Sequence, residues 1–178
     1  MEKIMIRSTL LTLSALVLSA SISSVANAGQ TLGACNSINL ANFDGSIVDA
    51  AIATPELSTL VDAVVAAGLA DTLATTENIT VYAPTNDAFA ALPEGILNTI
   101  VGDVNTLTDV LTYHVSPRNQ DPRRFVNSTR RSTLNGQKVF FSRFDSEARV
   151  NQAAVNCQGF RTDNGLVWII DSVLLPQF

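Results

Sequence analysis

Side chains that commonly carry catalysis or bind metals are scarce in this sequence of 178 residues. There is one histidine, His114, and there are two cysteines, Cys35 and Cys157. The sequence has no G-x-S-x-G, P-loop or G-x-G-x-x-G motif, and its acids lack the spacing of a calcium loop. A Ser-His-Asp or Cys-His unit would have to use His114, whose place beside apolar Val115 is more typical of a hydrogen-bonded structural histidine. We therefore predict no enzyme, no metal site and no cofactor.

Long hydrophobic runs are also lacking. The longest, Leu10 to Ala20, is shorter than the roughly 20 residues that cross a bilayer. It follows the positive residues Lys3 and Arg7 and precedes the small-x-small site that ends at Ala28, the three zones of a signal peptide. We predict a signal peptide at 1–28, cleaved after Ala28, and a secreted protein, extracellular or periplasmic, without a transmembrane segment.

The two cysteines leave two interpretations for the segment that follows, 29–42. An exported chain meets oxidising conditions, and an even cysteine count favours a Cys35–Cys157 disulfide that ties this segment to the domain. The alternative is lipidation, since Leu32-Gly33-Ala34-Cys35 is similar to a lipoprotein box. A polar stretch separates that box from the apolar run, and the disulfide is therefore the preferred prediction.

Positive charge is absent from a long part of the chain. Residues 29–117 hold ten acids and no lysine or arginine, whereas residues 118–178 hold nine bases and five acids. The basic residues include five close arginines with a single acid, Asp121, among them: Arg118, Arg123, Arg124, Arg130 and Arg131. Pro117 and Pro122 predict a surface loop here.

Two hypotheses follow for these arginines. In one, the loop binds an acidic polysaccharide or another anionic surface, since guanidinium groups hydrogen-bond carboxylate, sulfate and phosphate bidentately. In the other, the arginines form weak ion pairs with the acidic helical half. Nucleic acid is not an expected partner, because the chain is exported and has no recognition motif.

Hydrophobic periodicity predicts helices first and strands afterwards, which indicates an α+β domain. Helix starts are predicted at Ser46 and Thr54, and strands are predicted after two Asn-Gly turns. The further predicted helices are 87–92, 93–101 and 107–111, and the predicted strands are Lys138–Phe144 and Leu166–Leu174.

Three segments in order resemble the fasciclin domain. They are TVYAPTNDAF at residues 80–89, Tyr113-His114-Val115, and Asn164-Gly165 leading to IDSVLLP at residues 170–176. The resemblance places a fasciclin-like domain at 43–178. It implies two short β-sheets in a wedge with helices packed along one side. The matching residues, to which we assign mainly structural roles, are Thr80, Pro84, Thr85, Asn86, Phe89, Tyr113, His114, Gly165, Asp171 and Pro176.

The resemblance also implies a function. It is a secreted, non-enzymatic adhesion or binding module whose partner is a cell-surface or matrix protein or an acidic polysaccharide. The alternative is a carrier of a small apolar ligand such as a lipid or carotenoid pigment, as some relatives are. This sequence departs from the family at Trp168, where a histidine is usual, and in its arginine-rich stretch.

Aromatic residues of the second half give a candidate apolar-ligand surface: Phe140, Phe144 and Trp168. Alternation places Phe140 and Phe144 on one strand face and Phe141 on the other, and the first face is either covered by loops or exposed. The same alternation puts Trp168 with other apolar residues and predicts a core position for it. Asn78 and Asn127 begin glycosylation sequons, which are relevant in a eukaryotic host.

Overall fold

A computed structural model describes residues 40–124, 128–144 and 147–177, without the side chain of Cys157. Three predictions lie outside these residues and stay predictions: the signal peptide, Cys35 with its disulfide or lipid, and the sequon at Asn127. The Asn78 sequon is within them, and Asn78 is exposed with a positive φ of 57°.

Six α-helices occur in the described residues, and all six precede the strands of the second sheet. They are α1 (Ile47–Ile52), α2 (Ser58–Ala66), α3 (Ala70–Thr75), α4 (Asn86–Ala90), α5 (Glu94–Gly102) and α6 (Val104–Tyr113). The Ser46 start is confirmed as a capping box, in which Ser46 Oγ accepts from the Asp49 amide and the Asp49 carboxylate accepts from the Ser46 amide. The Thr54 start instead opens a 3₁₀ turn, Pro55–Leu57, that leads into α2.

The described strands form two sheets. They are β1 (Ala41–Asn42), β2 (Ile79–Pro84), β3 (Val115–Pro117), β4 (Thr129–Ser132), β5 (Lys138–Phe144), β6 (Glu147–Val150), β7 (Ala153–Arg161) and β8 (Gly165–Ile170). The first sheet has the order β3-β2-β8-β7, with β2 and β8 parallel and β1 beside β7. The second sheet is antiparallel, β6-β5-β4, and β7 joins it to the first.

Two hydrophobic cores stabilise this arrangement of helices and sheets. The first lies between the helices and one face of the first sheet, where Leu60, Ile100 and Leu111 meet Val81 and Val167. The second fills the wedge between the sheets and contains Tyr82, Val139, Phe141, Val150, Leu166, Trp168, Ile170 and Leu174. Strand β8 is therefore buried on both faces, as its doubly apolar sequence predicted.

The predicted strand Leu166–Leu174 is too long, because β8 ends at Ile170. Beyond it, the Asp171 carboxylate accepts a hydrogen bond from the Ala154 amide at 2.9 Å. The Leu174 amide then donates a hydrogen bond to Nε2 of His114, the residue after α6, and not to a strand. The chain thus leaves the sheet at Asp171 while Leu174 stays in the second core.

Gly165, the first residue of β8, allows a close approach of two strands. A Cβ atom at this position would collide with the carbonyl oxygen of Ile79 on β2. Only glycine lets β8 start directly beside β2 with the observed register of Ile79 opposite Gly165.

Candidate functional site

The residues of the first fasciclin-like segment hold the corner between β2 and α4. Thr85 Oγ1 accepts from the Ala88 amide at 3.2 Å and caps α4. Asn86 connects this corner to α2, since its Oδ1 accepts from the Thr59 amide and its Nδ2 donates to the Pro55 carbonyl. Pro84 and Phe89 are buried. These contacts hold the corner between β2 and α4 in place.

Tyr113 and His114 face different parts of the interior. The Tyr113 hydroxyl donates to the Lys138 carbonyl and accepts from Asn151 Nδ2. His114 is 2% exposed, with Nδ1 2.8 Å from the Val110 carbonyl oxygen and Nε2 2.9 Å from the Leu174 amide that donates to it. Burial lowers the pKa of His114 to about 4. The imidazole of His114 is thus neutral and bonded at both ring nitrogens inside the protein.

Thr80 joins the family segment to the arginine-rich stretch. Its buried hydroxyl donates to the Arg118 carbonyl at 2.9 Å and accepts from the Gln120 amide at 2.8 Å. Trp168 holds the same stretch from the protein interior, because its indole Nε1 donates to the Gln120 carbonyl at 2.9 Å. The backbone of residues 118–120 is therefore held in one position by two buried side chains.

A groove of about 970 Å³ opens at one end of the wedge between the sheets. All five arginines predicted from the sequence line it, together with a sixth, Arg161, at the end of β7. The arginines of the groove are Arg118, Arg123, Arg124, Arg130, Arg131 and Arg161, and we call it the arginine groove. Among the described residues that line it, Asp121 is the single carboxylate.

Arg123 forms the base of the arginine groove. Its guanidinium lies 4.6 Å from the centre of the Trp168 ring, within the range of a cation–π contact. The guanidinium also makes two hydrogen bonds of 3.0 Å to the two carboxylate oxygens of Asp121. Arg124 reaches the same carboxylate at 3.5 Å, yet its side chain is 82% exposed. Trp168 and the arginine-rich stretch are thus in contact.

The structure corrects the expectation of a continuous surface loop between Arg118 and Arg131. Pro122–Arg124 is a 3₁₀ turn, and Arg130 and Arg131 belong to β4. A strand forms here because β4 pairs with β5 through the predicted hairpin, with Arg130 opposite Phe140 and Arg131 opposite Val139. The ion pairs made between described residues stay local, since Arg123 and Arg124 pair with Asp121 of their own segment.

The three residues of the candidate aromatic surface do not share one surface. Trp168 is fully buried and cannot form part of a surface, which confirms its predicted core position. Phe140 and Phe144 are 43% and 67% exposed on the outer face of the second sheet. Their strand turns Val139 and Phe141 toward the second core, so the outer face stays exposed.

A separate apolar recess of about 240 Å³ lies among α2, α4, α5 and α6. Apart from Thr59, Asp62 and His114, the residues that line it are hydrocarbon or phenyl side chains. They include Leu60, Phe89, Leu97, Ile100, Leu107 and Val110. No sequence signal indicates this recess, because each of these residues is equally typical of a helix face in a core.

Reasoning from the sequence found five of the six groove arginines and missed Arg161. The five are close in the chain, and their spacing alone reveals them. Arg161 comes from a strand end 30 positions beyond Arg131, and only the pairing of β7 with β8 brings it to the groove. Asn119 and Gln120, which also line the groove, carry no charge signal.

Two structural observations bear on other kinds of site. Within the described ranges, no group of three or more His, Cys, Asp or Glu side chains could hold a metal ion. In the same ranges, no helix is both long and apolar enough to cross a membrane.

Comparison with known proteins identifies the class. The sequence model of the fasciclin domain matches residues 55–176. Protein sll1483 of Synechocystis is 39% identical over 74% of this chain and 73% of its own length. Immunogenic protein MPB70 of Mycobacterium bovis is 35% identical over 89% of both chains. The cell surface glycolipoprotein MPB83 of the same species is 36% identical over 73% of this chain and 60% of its own. The chain belongs to the fasciclin domain family, and its α+β fold is that of the family.

Proposed function

We propose that this protein is a secreted, non-enzymatic binding module that attaches to acidic polysaccharide at a cell surface or in an extracellular matrix through the arginine groove. The observation that carries the proposal is the gathering of six arginines around one carboxylate in a groove of about 970 Å³. A relative that is a cell surface glycolipoprotein supports the location.

The electrostatics of the groove favour an anionic ligand. Asp121 is already bonded to Arg123 and Arg124, so its charge is offset within the base of the groove. Arg118, Arg124, Arg130 and Arg161 are exposed around it. Guanidinium groups on a concave surface focus positive potential and offer paired donors to carboxylate or sulfate. A chain of repeated anionic groups can contact several of them at once.

The groove is also organised before a ligand arrives. Thr80 and Trp168 fix the backbone of 118–120, and Asp121 with Trp168 fixes the Arg123 guanidinium. Binding therefore does not have to order this wall of the site, and preorganised groups lose less entropy on association.

The test is retention on an immobilised polyuronate column, eluted with rising salt. The variant Arg124→Ala/Arg161→Ala removes two exposed guanidiniums and leaves the Arg123–Trp168 base intact. The matched control is Asn98→Asp/Asn105→Asp, which changes the net charge by the same amount at exposed positions of the helical half. We expect the groove variant to elute at clearly lower salt, with the slope of log K against log salt reduced by about one per arginine.

The control should elute close to the wild type. Unchanged elution of the groove variant would remove the groove from the function. Equal losses in the two variants would show that net charge alone governs retention and would also contradict a defined site.

A second candidate function, carriage of a small apolar ligand, is favoured by the apolar recess. Its volume of about 240 Å³ is below the roughly 300–1,000 Å³ typical of sites for drug-sized ligands. The ligand would be small, or only one end of it would be enclosed. Organic extraction of the protein purified from its native host, followed by mass spectrometry, tests this function. A clean extract from a protein that binds polyuronate would favour the first function alone.

A further inference from the structure

The outer face of the second sheet carries two phenyl rings, each with an arginine guanidinium over it. Alternation along β5 turns Phe140 and Phe144 outward. The Arg130 guanidinium lies 5.6 Å from the Phe140 ring centre, and that of Arg149 lies 5.2 Å from the Phe144 ring centre. Both phenyl rings remain substantially exposed, at 43% and 67%.

This face is continuous with the arginine groove. Arg130 lines the groove and also contacts Phe140, its cross-strand neighbour. From there β5 leads to Phe144, four residues or about 13 Å along the strand. Among the described residues, the charged side chains of the face are Arg130, Lys138 and Arg149 against Glu147, which pairs with Arg149 at 3.4 Å. The net positive sign of the groove therefore extends over the sheet.

The arrangement fits sugar rings better than a lipid surface. The two phenyl rings are separated by Ser142 and flanked by guanidiniums, so they do not form the contiguous apolar patch that marks a hydrophobic contact surface. A pyranose ring presents C–H groups on one side, and these pack against the negative face of an aromatic ring. Its carboxylate or sulfate substituents lie at the ring edge, where a neighbouring guanidinium can bind them.

We propose that the outer face of β4, β5 and β6 extends the arginine groove as a second subsite for the same acidic polysaccharide. Sugar rings pack on Phe140 and Phe144, and the acidic substituents bind Arg130 and Arg149. This inference rests on the proposed function and adds that the ligand is recognised as a carbohydrate and not only as a polyanion.

The experiment compares two probes of similar charge, an oligogalacturonate and a linear polyphosphate, by calorimetric titration of the mature protein. Phe144→Ala is the main variant, because Phe144 does not line the groove. Phe140→Ala/Phe144→Ala is the stronger variant. The matched control is Val65→Ala, which removes an apolar side chain of 62% exposure from the helical half.

We expect Phe144→Ala to weaken oligogalacturonate binding several-fold and the double variant to weaken it about tenfold, the scale of aromatic ring contacts. Polyphosphate affinity should change by less than about twofold in Phe144→Ala, because phosphate has no ring to stack. Val65→Ala should match the wild type with both probes. Unchanged oligogalacturonate binding in the double variant, or equal losses for both probes in Phe144→Ala, would overturn the inference.

Two further outcomes separate this inference from the proposed function. Wild-type binding to polyphosphate but not to oligogalacturonate would overturn the carbohydrate subsite and leave the arginine groove as an anion site. Binding to neither probe would contradict the groove itself. The last measurement uses vesicles of phosphatidylglycerol and phosphatidylcholine. If the wild type binds these vesicles and Phe144→Ala does not, the inference is overturned in favour of a lipid surface.

Discussion

Acid should destabilise this protein through His114 before its carboxylates titrate. The Leu174 amide donates to Nε2, so the proton of the neutral ring lies on Nδ1 and is donated to Val110. A second proton can be added only at Nε2, which would break the Leu174 hydrogen bond and place a charge in the core. Burial consequently lowers the pKa of His114 to about 4, against about 6.5 in an unfolded chain.

The sign and size of the effect follow from these two values. Between pH 6.5 and pH 4 the unfolded chain binds a proton that the folded chain does not, so the free energy of unfolding falls as the pH falls. The loss should be about 2 kcal/mol between pH 7.5 and pH 5, and about 3 kcal/mol by pH 4. The chain has one histidine. Asp49 and Asp103, whose pKa values are lowered by hydrogen bonds from Ser46 and Thr106, contribute at lower pH.

Urea denaturation at pH 7.5, 6 and 5 measures this slope. The control is His114→Gln, which should be less stable than the wild type at pH 7.5 but nearly independent of pH over this interval. A wild-type stability that is flat between pH 7.5 and pH 5 would refute the reasoning. An equal slope in His114→Gln would assign the effect to other groups.

Three further predictions concern the core, the strand contact and the cysteines. Trp168→Ala should lower the free energy of unfolding by about 3–5 kcal/mol, as expected for a fully buried aromatic residue, and a loss under about 1 kcal/mol in chemical denaturation would contradict its core position. Gly165→Ala should lower the free energy of unfolding by about 1–3 kcal/mol, because the added Cβ overpacks against Ile79. The control Gly95→Ala should not destabilise the protein, since nothing lies within 4 Å of its added Cβ. Equal thermal midpoints of the two variants would be inconsistent with the Gly165–Ile79 contact. Reduction should raise the intact mass of the secreted protein by one hydrogen for each of Cys35 and Cys157, and an acyl increment on Cys35 would instead show lipidation.

Local sequence signals predicted the elements that depend on local contacts. The capping box of Ser46 and Asp49 and the Asn135-Gly136 hairpin turn involve residues within three or four positions, and the structure contains both. Gly136 has the positive φ of 88° that this turn requires. Alternation likewise placed Trp168 and Ile170 together in the second core.

Local sequence signals failed where contacts between distant parts of the chain determine the structure. Alternation in β5 separates Phe140 from Phe141 but does not say which face another layer covers, and the second core covers only Phe141. The end of β8 depends on Asp171 reaching Ala154 across the sheet. Arg161 joins the groove through the pairing of β7 with β8. No local pattern encodes these three contacts.

The division of charge along the chain becomes a division in space, because the helices cover one side of the first sheet and the arginine groove opens at the wedge on its other side. The molecule therefore has a permanent electric dipole. Near an anionic surface this dipole produces a torque that turns the groove inward before any contact forms. The acidic helices then point outward, so a layer of the attached protein would replace one negative surface with another and would limit its own deposition to a single layer.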